Sequence, residues 1–178
     1  MPWPMQIRSL FVNITLCAGA GLWLAPSSAR ADVAVAGDLE LDAPFDLEER
    51  SAPGFALRVG WQLHLPAIVL VPEVGYHHVE FGNEVTLNRG FAGARLAIGE
   101  IFRFGAFAHV GFGNAAFHRE GEDRELSDLT YDVGGFFDFT LLPLLDVGVH
   151  AGYGRVRSSD DGPGLEWVPV GVHLALIL

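Results

Sequence analysis

The sequence predicts an all-β fold, an eight-stranded antiparallel up-and-down β-barrel over residues 32–178. Three observations predict it. Apolar residues recur at every second position, which is the period of a strand with two different faces. Connections between the strands alternate between short and long. One face of each strand is bulky and apolar, whereas the opposite face is small or charged.

The segment over residues 1–31 is expected to be a cleavable signal peptide, and residues 32–178 the barrel domain. Arg8 supplies a positive start, residues 10–24 are mostly apolar, and Ala29-Arg30-Ala31 matches a cleavage site. The single cysteine, Cys17, would be removed with this segment, so no disulfide is expected. All basic residues are arginine and the net charge is −11, which argues against a nucleic-acid partner.

The clearest strand covers residues 101–117, where Phe, Ala and Val alternate with Gly, Arg and His. The weakest is the first. In chain order the predicted strands cover about 33–42, 55–65, 68–81, 86–98, 101–117, 129–141, 145–154 and 167–178. An even number is expected when an antiparallel barrel has its two ends on the same side of a membrane.

Every second connection is very short, and the long ones are acidic. Short turns are predicted at Pro66-Ala67, Gly99-Glu100 and Pro143. Long loops are predicted at about 43–54, 82–85, 118–128 and 157–164. Short turns at one rim and longer loops at the other are typical of barrels that cross an outer membrane.

The composition of the two faces indicates which one meets lipid. Small residues suit the narrow interior of an eight-stranded barrel, whereas the bulky face would overfill it. Bulky side chains are therefore expected to point outward, with aromatic residues near both rims. These are Phe102, Phe104, Phe137 and Phe139 near the short turns, and Phe55, Tyr76, Phe112, Tyr131 and Tyr153 near the long loops.

The opposite face would carry a network of charges inside the barrel. Buried charges need partners, and the planar fork of arginine suits carboxylates. The predicted network consists of Arg58, Arg89, Arg95, Arg103, Glu73, Asp132, Asp138 and Asp146, with Asp38, Glu40 and Asp42 on the first strand. We expect it to close the interior; the alternative is a narrow polar channel lined by the same residues. His64, His109, His150 and His173 are expected to be hydrogen-bonded within it.

Residues 32–178 resemble the small outer-membrane β-barrel family, the OmpA/OmpX-type, porin-like barrels. The resemblance depends on the preceding signal peptide, on alternating strands such as 102–112 and 168–178, and on the alternation of short turns and long loops. The resemblance implies a Gram-negative outer membrane, contact with its lipid and lipopolysaccharide, and delivery by periplasmic chaperones and the outer-membrane insertion machinery. Family members usually end in an aromatic residue, and this chain ends in Leu178.

No catalytic, cofactor or metal residue is predicted, and an enzyme is not expected. None of Ser51, Ser127, Ser158 and Ser159 lies two residues from a histidine. His77 and His78 are adjacent on a strand, so they face opposite ways and do not readily share one ion.

The sequence favours a monomeric structural or interaction barrel without a cofactor. Two alternatives remain open: a narrow pore or conduit for small, hydrophobic molecules, and a soluble periplasmic barrel that binds an apolar ligand, like a lipocalin. In the second alternative the bulky face would be the core.

Overall fold

The computed structural model describes residues 31–45, 51–82, 85–119, 122–157 and 164–178. The predicted signal peptide lies outside the described residues, apart from Ala31 at the start of the first strand. Within the described ranges no helix is long and apolar enough to cross a membrane.

Eight strands form a single closed sheet. They are β1 Ala31–Pro44, β2 Ala52–His64, β3 Val69–Phe81, β4 Val85–Ile98, β5 Phe102–Arg119, β6 Glu122–Leu142, β7 Leu145–Val156 and β8 Leu165–Ile177. Each strand pairs antiparallel with its neighbours in the chain, and β1 also pairs with β8. The predicted eight-stranded antiparallel barrel is confirmed, including its weakest strand, β1.

The barrel has two different rims. Tight connections join β2 to β3, β4 to β5 and β6 to β7 at one of them, which we call the turn rim. The strand ends that lead to the other connections lie at the opposite end, the loop rim. Gly99 in one tight turn has a φ of 104°, a conformation that favours glycine. Within the predicted loops, residues 46–50, 83–84, 120–121 and 158–163 lie outside the described residues.

Two predicted long loops are wrong. A long loop was expected at 82–85, but β3 ends at Phe81 and β4 begins at Val85, a connection no longer than the turn between β2 and β3. Residues 118–128 were expected to connect two strands, but β5 continues to Arg119 and β6 begins at Glu122. The two strands stay paired through Phe117 and Arg124 to Arg119 and Glu122. Alternation reveals a strand only where one face is buried, so a polar extension of a hairpin carries no such signal.

The bulky apolar face of every strand points outward. Leu39 and Phe112 are 69% and 59% exposed, and Leu41 and Val110 next to them on the same faces are each 59% exposed. At the turn rim the predicted aromatic residues contact one another, with ring centroids 5.2 Å apart for Phe102 and Phe139 and 4.8 Å for Phe104 and Phe137. The face with small and charged side chains therefore lines the interior.

Large rings enter the interior where glycine stands beside them. Phe91, Phe107, Phe136 and Trp167 all point inward and are buried. Each lies directly opposite a glycine on a neighbouring strand, and these glycines are Gly75, Gly134, Gly105 and Gly154 respectively. A Cβ at any of these glycines would overlap the ring, so the small inward residues make room for aromatic ones.

Candidate functional site: a charged layer inside the barrel

An apolar layer fills the interior at the loop rim. Its members come from six strands and are almost fully buried: Ala52, Val79, Phe81, Val85, Leu87, Ala115, Val156, Leu165 and Trp167. They occupy the ends of their strands nearest the loops. The interior at this rim is thus mainly apolar, with Asp42 and Thr130 buried opposite Ala52 and Val156, and most polar side chains lie below it.

The charged layer lies beneath, towards the turn rim. We define it as the four predicted arginines, seven carboxylates and four histidines that face the middle of the barrel. They are Arg58, Arg89, Arg95, Arg103, Asp38, Glu40, Asp42, Glu73, Asp132, Asp138, Asp146, His77, His109, His150 and His173. The structure brings all eight predicted network residues into this layer.

Arg58 is central because it joins two carboxylates. Its Nε and Nη2 donate to the two oxygens of Asp38 over 2.8 and 2.7 Å, and its Nη1 donates to Glu73 over 2.9 Å. The planar fork of arginine permits this bidentate arrangement. All three side chains are buried, so the arginine is the main partner that compensates the charge of both carboxylates.

Arg89 and His109 share Asp132. Arg89 Nη1 donates to one oxygen of Asp132 over 2.6 Å, and His109 Nδ1 lies 2.9 Å from the other. His109 Nε2 lies 2.8 Å from Glu73. Both ring nitrogens of His109 thus face carboxylate oxygens, which is the arrangement of an imidazolium that donates twice.

Arg95 and Arg103 lie closer to the turn rim and are less completely bonded. The guanidinium of Arg95 lies 4.0 Å from the ring centre of Phe136, a cation–π contact. Arg103 pairs with Asp146, whose second oxygen accepts from Thr140 over 2.8 Å. The Nε atoms of both arginines have no hydrogen-bond partner among the described residues.

Three of the four histidines predicted inside the barrel are buried there: His109, His150 and His173. His64 differs, because β2 ends at this residue and leaves it at the turn rim, 3.9 Å from Asp32. His77 takes a fourth interior position that the sequence analysis did not assign. It is fully buried and stacks on Trp167 with an interplanar angle of 9°.

A signal for His77 was present in the sequence. It shares strand parity with Glu73, which was predicted inside, and the weak alternation of β3 concealed it. Its neighbour His78 faces outward, 3.4 Å from Glu80, as the parity of adjacent residues requires.

Little free space remains between the charges. One cavity of about 30 Å³ is lined by Asp38, Arg89 and His109 among others, and a second of about 30 Å³ by Arg58, Gln62 and Arg103 among others. Each has room for roughly one water. A wider depression of about 550 Å³ opens at the turn rim beside Pro66 and Gly99.

The fold is that of small eight-stranded outer-membrane barrels, which confirms the predicted resemblance at the level of fold. The chain is similar to Neisserial surface protein A, NspA, with 11% identity over 84% of this chain and 99% of that one, at a TM-score of 0.56. The N-terminal β-barrel domain of Pseudomonas aeruginosa OprF matches with 12% identity over 84% and 100%, at 0.56.

A third similar structure is the outer membrane enzyme PagL, with 14% identity over 79% of this chain and 98% of that one, at a TM-score of 0.52. Identities this low show a shared fold alone. No family model matches the chain. No curated protein matches it either.

Proposed function

We propose that the protein is a monomeric structural or interaction barrel of the Gram-negative outer membrane, with a closed interior and acidic loops facing outside. The observation that carries the proposal is the combination of an apolar outer face with a charged layer whose cavities hold about 30 Å³ each. The outer face suits lipid, and the paired charges suit a solvent-poor interior.

The outer face argues against a soluble barrel. Leu39, Leu57, Val110 and Phe112 are each at least 59% exposed, on strands that lie around the circumference. Soluble proteins seldom expose continuous apolar surface on this scale. A barrel that binds a small molecule also needs a pocket of about 300 Å³ or more, and the interior cavities are an order of magnitude smaller.

The partners follow from the location. Lipid and lipopolysaccharide would contact the outer face, and periplasmic chaperones and the insertion machinery would deliver the chain. We propose no catalytic role for the protein. Because the enzyme PagL has the same fold, this part of the proposal is tested by measuring the mass of lipid A in cells that express the protein.

The test has two stages on one preparation. Cell fractionation should place the protein in the outer membrane, where unboiled and boiled samples migrate differently on a gel. The same protein, reconstituted into planar bilayers in concentrated KCl, should give no discrete conductance steps. Reproducible steps whose size changes in the Arg58→Ala variant would reveal an open polar channel. Recovery in the soluble periplasm would instead support the ligand-binding alternative.

A further inference from the structure

Two groups of three side chains in the charged layer have the composition of a metal site. Asp38, His150 and His173 form one group, and Glu40, Asp42 and His77 the other. Within each group the possible ligand atoms lie within 4.8 Å of one another. The position of the proton on each histidine separates the two groups, because only an unprotonated ring nitrogen can bind a metal.

In the His77 group, the ring nitrogen that faces the two carboxylates carries the proton and cannot bind a metal. Arg89 Nε donates to His77 Nδ1 over 3.3 Å, so the ring proton sits on Nε2. That nitrogen points between Glu40 and Asp42, at 3.2 and 3.4 Å. His77 therefore donates to the two carboxylates, and no lone pair faces them.

The His150 group has the opposite arrangement. His173 Nε2 lies 2.8 Å from Asp138, and His150 Nε2 lies 3.2 Å from Glu40. Ionised carboxylates only accept hydrogen bonds, so each Nε2 carries a proton, and in the neutral form of both rings each Nδ1 carries a lone pair. The two Nδ1 atoms face each other over 3.3 Å. Two lone pairs at this distance repel unless something positive lies near both of them.

A metal ion fits this spacing. Zinc binds imidazole nitrogen at about 2.0–2.1 Å, and a tetrahedral angle then separates two such nitrogens by about 3.3–3.4 Å. Asp38 Oδ1 lies 3.9 Å from His150 Nδ1 and supplies a third ligand. Glu40 and Asp138 hold the far nitrogens of the two rings, as carboxylates commonly do for metal-bound histidine. Arg58 orients Asp38 by donating to both of its carboxylate oxygens.

The net charge of the layer also favours a bound cation. Its four arginines and seven carboxylates leave a formal charge of −3. The imidazolium of His109 reduces this to −2. Uncompensated buried charge is costly, and one divalent cation would neutralise it.

We propose that Asp38, His150 and His173 bind one divalent transition-metal ion such as Zn²⁺ in the interior of the barrel. The three side chains come from β1, β7 and β8, so the ion would link the first and last strands at the closure of the barrel. A fourth ligand position would face the cavity of about 30 Å³ that Asp38 and His150 line, which has room for a water.

The test measures the metal content of the full protein. Protein extracted from membranes without chelator, and the same protein unfolded in urea and refolded in detergent with ZnCl₂, would be desalted and analysed by mass spectrometry for metals. Refolding with the metal present removes any barrier to entry through the closed interior. We expect one Zn²⁺ per chain. Co²⁺ in its place should give the visible absorption bands of a four-coordinate site with nitrogen ligands.

Matched variants separate this site from other interior groups. His150→Gln and His173→Gln should lose the ion. Asp42→Asn should retain it, because this change alters the other group at a carboxylate that contacts His77 and leaves the contact between Glu40 and His150 in place. Glu40→Gln should weaken binding by about 10- to 100-fold through the orientation of His150. A gel shift on boiling checks that each variant folds. Wild-type protein without metal after refolding, or equal metal in wild type and in the folded His150→Gln and His173→Gln variants, would overturn the proposal. The first result would mean that the two rings share a proton instead.

Discussion

The apolar layer at the loop rim and the charged layer beneath it fill the same barrel by different means. The apolar layer depends on shape: Trp167 occupies the space left by Gly154, and Phe81 and Leu87 pack beside it. The charged layer depends on pairing, since Arg58 alone bonds to two buried carboxylates. The first should therefore respond to changes of volume, and the second to removal of one member of a pair.

Breaking a pair should have the largest effect. Arg58→Ala leaves Asp38 and Glu73 as buried carboxylates without their main partner, and such a loss typically costs about 3–5 kcal/mol. We expect the free energy of unfolding, measured by urea titration in detergent, to fall by that amount.

Arg155→Ala is the control for this change. Arg155 pairs with Glu166 over 3.3 Å on the exposed outer surface, where an ion pair contributes little, and we expect the urea midpoint to stay where it is. Equal shifts in the two variants would mean that the interior charges are well hydrated, contrary to the closed interior.

A change of volume in the apolar layer should have a smaller effect. In Gly154→Ala the new methyl group overlaps the indole of Trp167, and overpacking of this kind costs about 1–3 kcal/mol. The same urea titration measures it. Adding Trp167→Leu to this variant should recover part of the loss, because the smaller side chain frees the space.

Gly90→Ala supplies the matching control on the outer face. Nothing lies within 4 Å of a Cβ at Gly90, so the added methyl group meets only the surroundings of the barrel. Equal destabilisation at Gly90 and Gly154 would show that the cost comes from the strand backbone and not from the ring that fills the interior.

The fold was largely predictable, because alternation along a strand follows directly from having two different environments on its two faces. The parity that placed Arg58, Arg89, Arg95 and Arg103 on one face needs no tertiary information. The extension of β5 and β6 to Arg119 and Glu122 was not predictable, since polar residues on both faces give no periodic signal.

The pairing within the charged layer lay beyond the sequence. Asp132 is 43 residues from Arg89, and His150 is 110 residues from its partner Glu40. Such partners meet only when the register of all eight strands is fixed. The grouping of Asp38, His150 and His173 depends on the closure of the barrel by β1 and β8, so no local motif announces it.

The orientation of the two faces in a membrane is the central claim, and the protein carries its own probes for it. Of its four tryptophans, Trp61 lies on the outward face of β2 and Trp167 is fully buried inside. Variants would retain one of these two, with Trp3 and Trp23 also replaced by Phe, and would be folded into bilayers of lipids brominated near the top of the acyl chain. We predict strong quenching of Trp61 fluorescence and weak quenching of Trp167. Strong quenching of Trp167 with little of Trp61, or no quenching of either, would contradict a membrane barrel with its bulky face towards lipid.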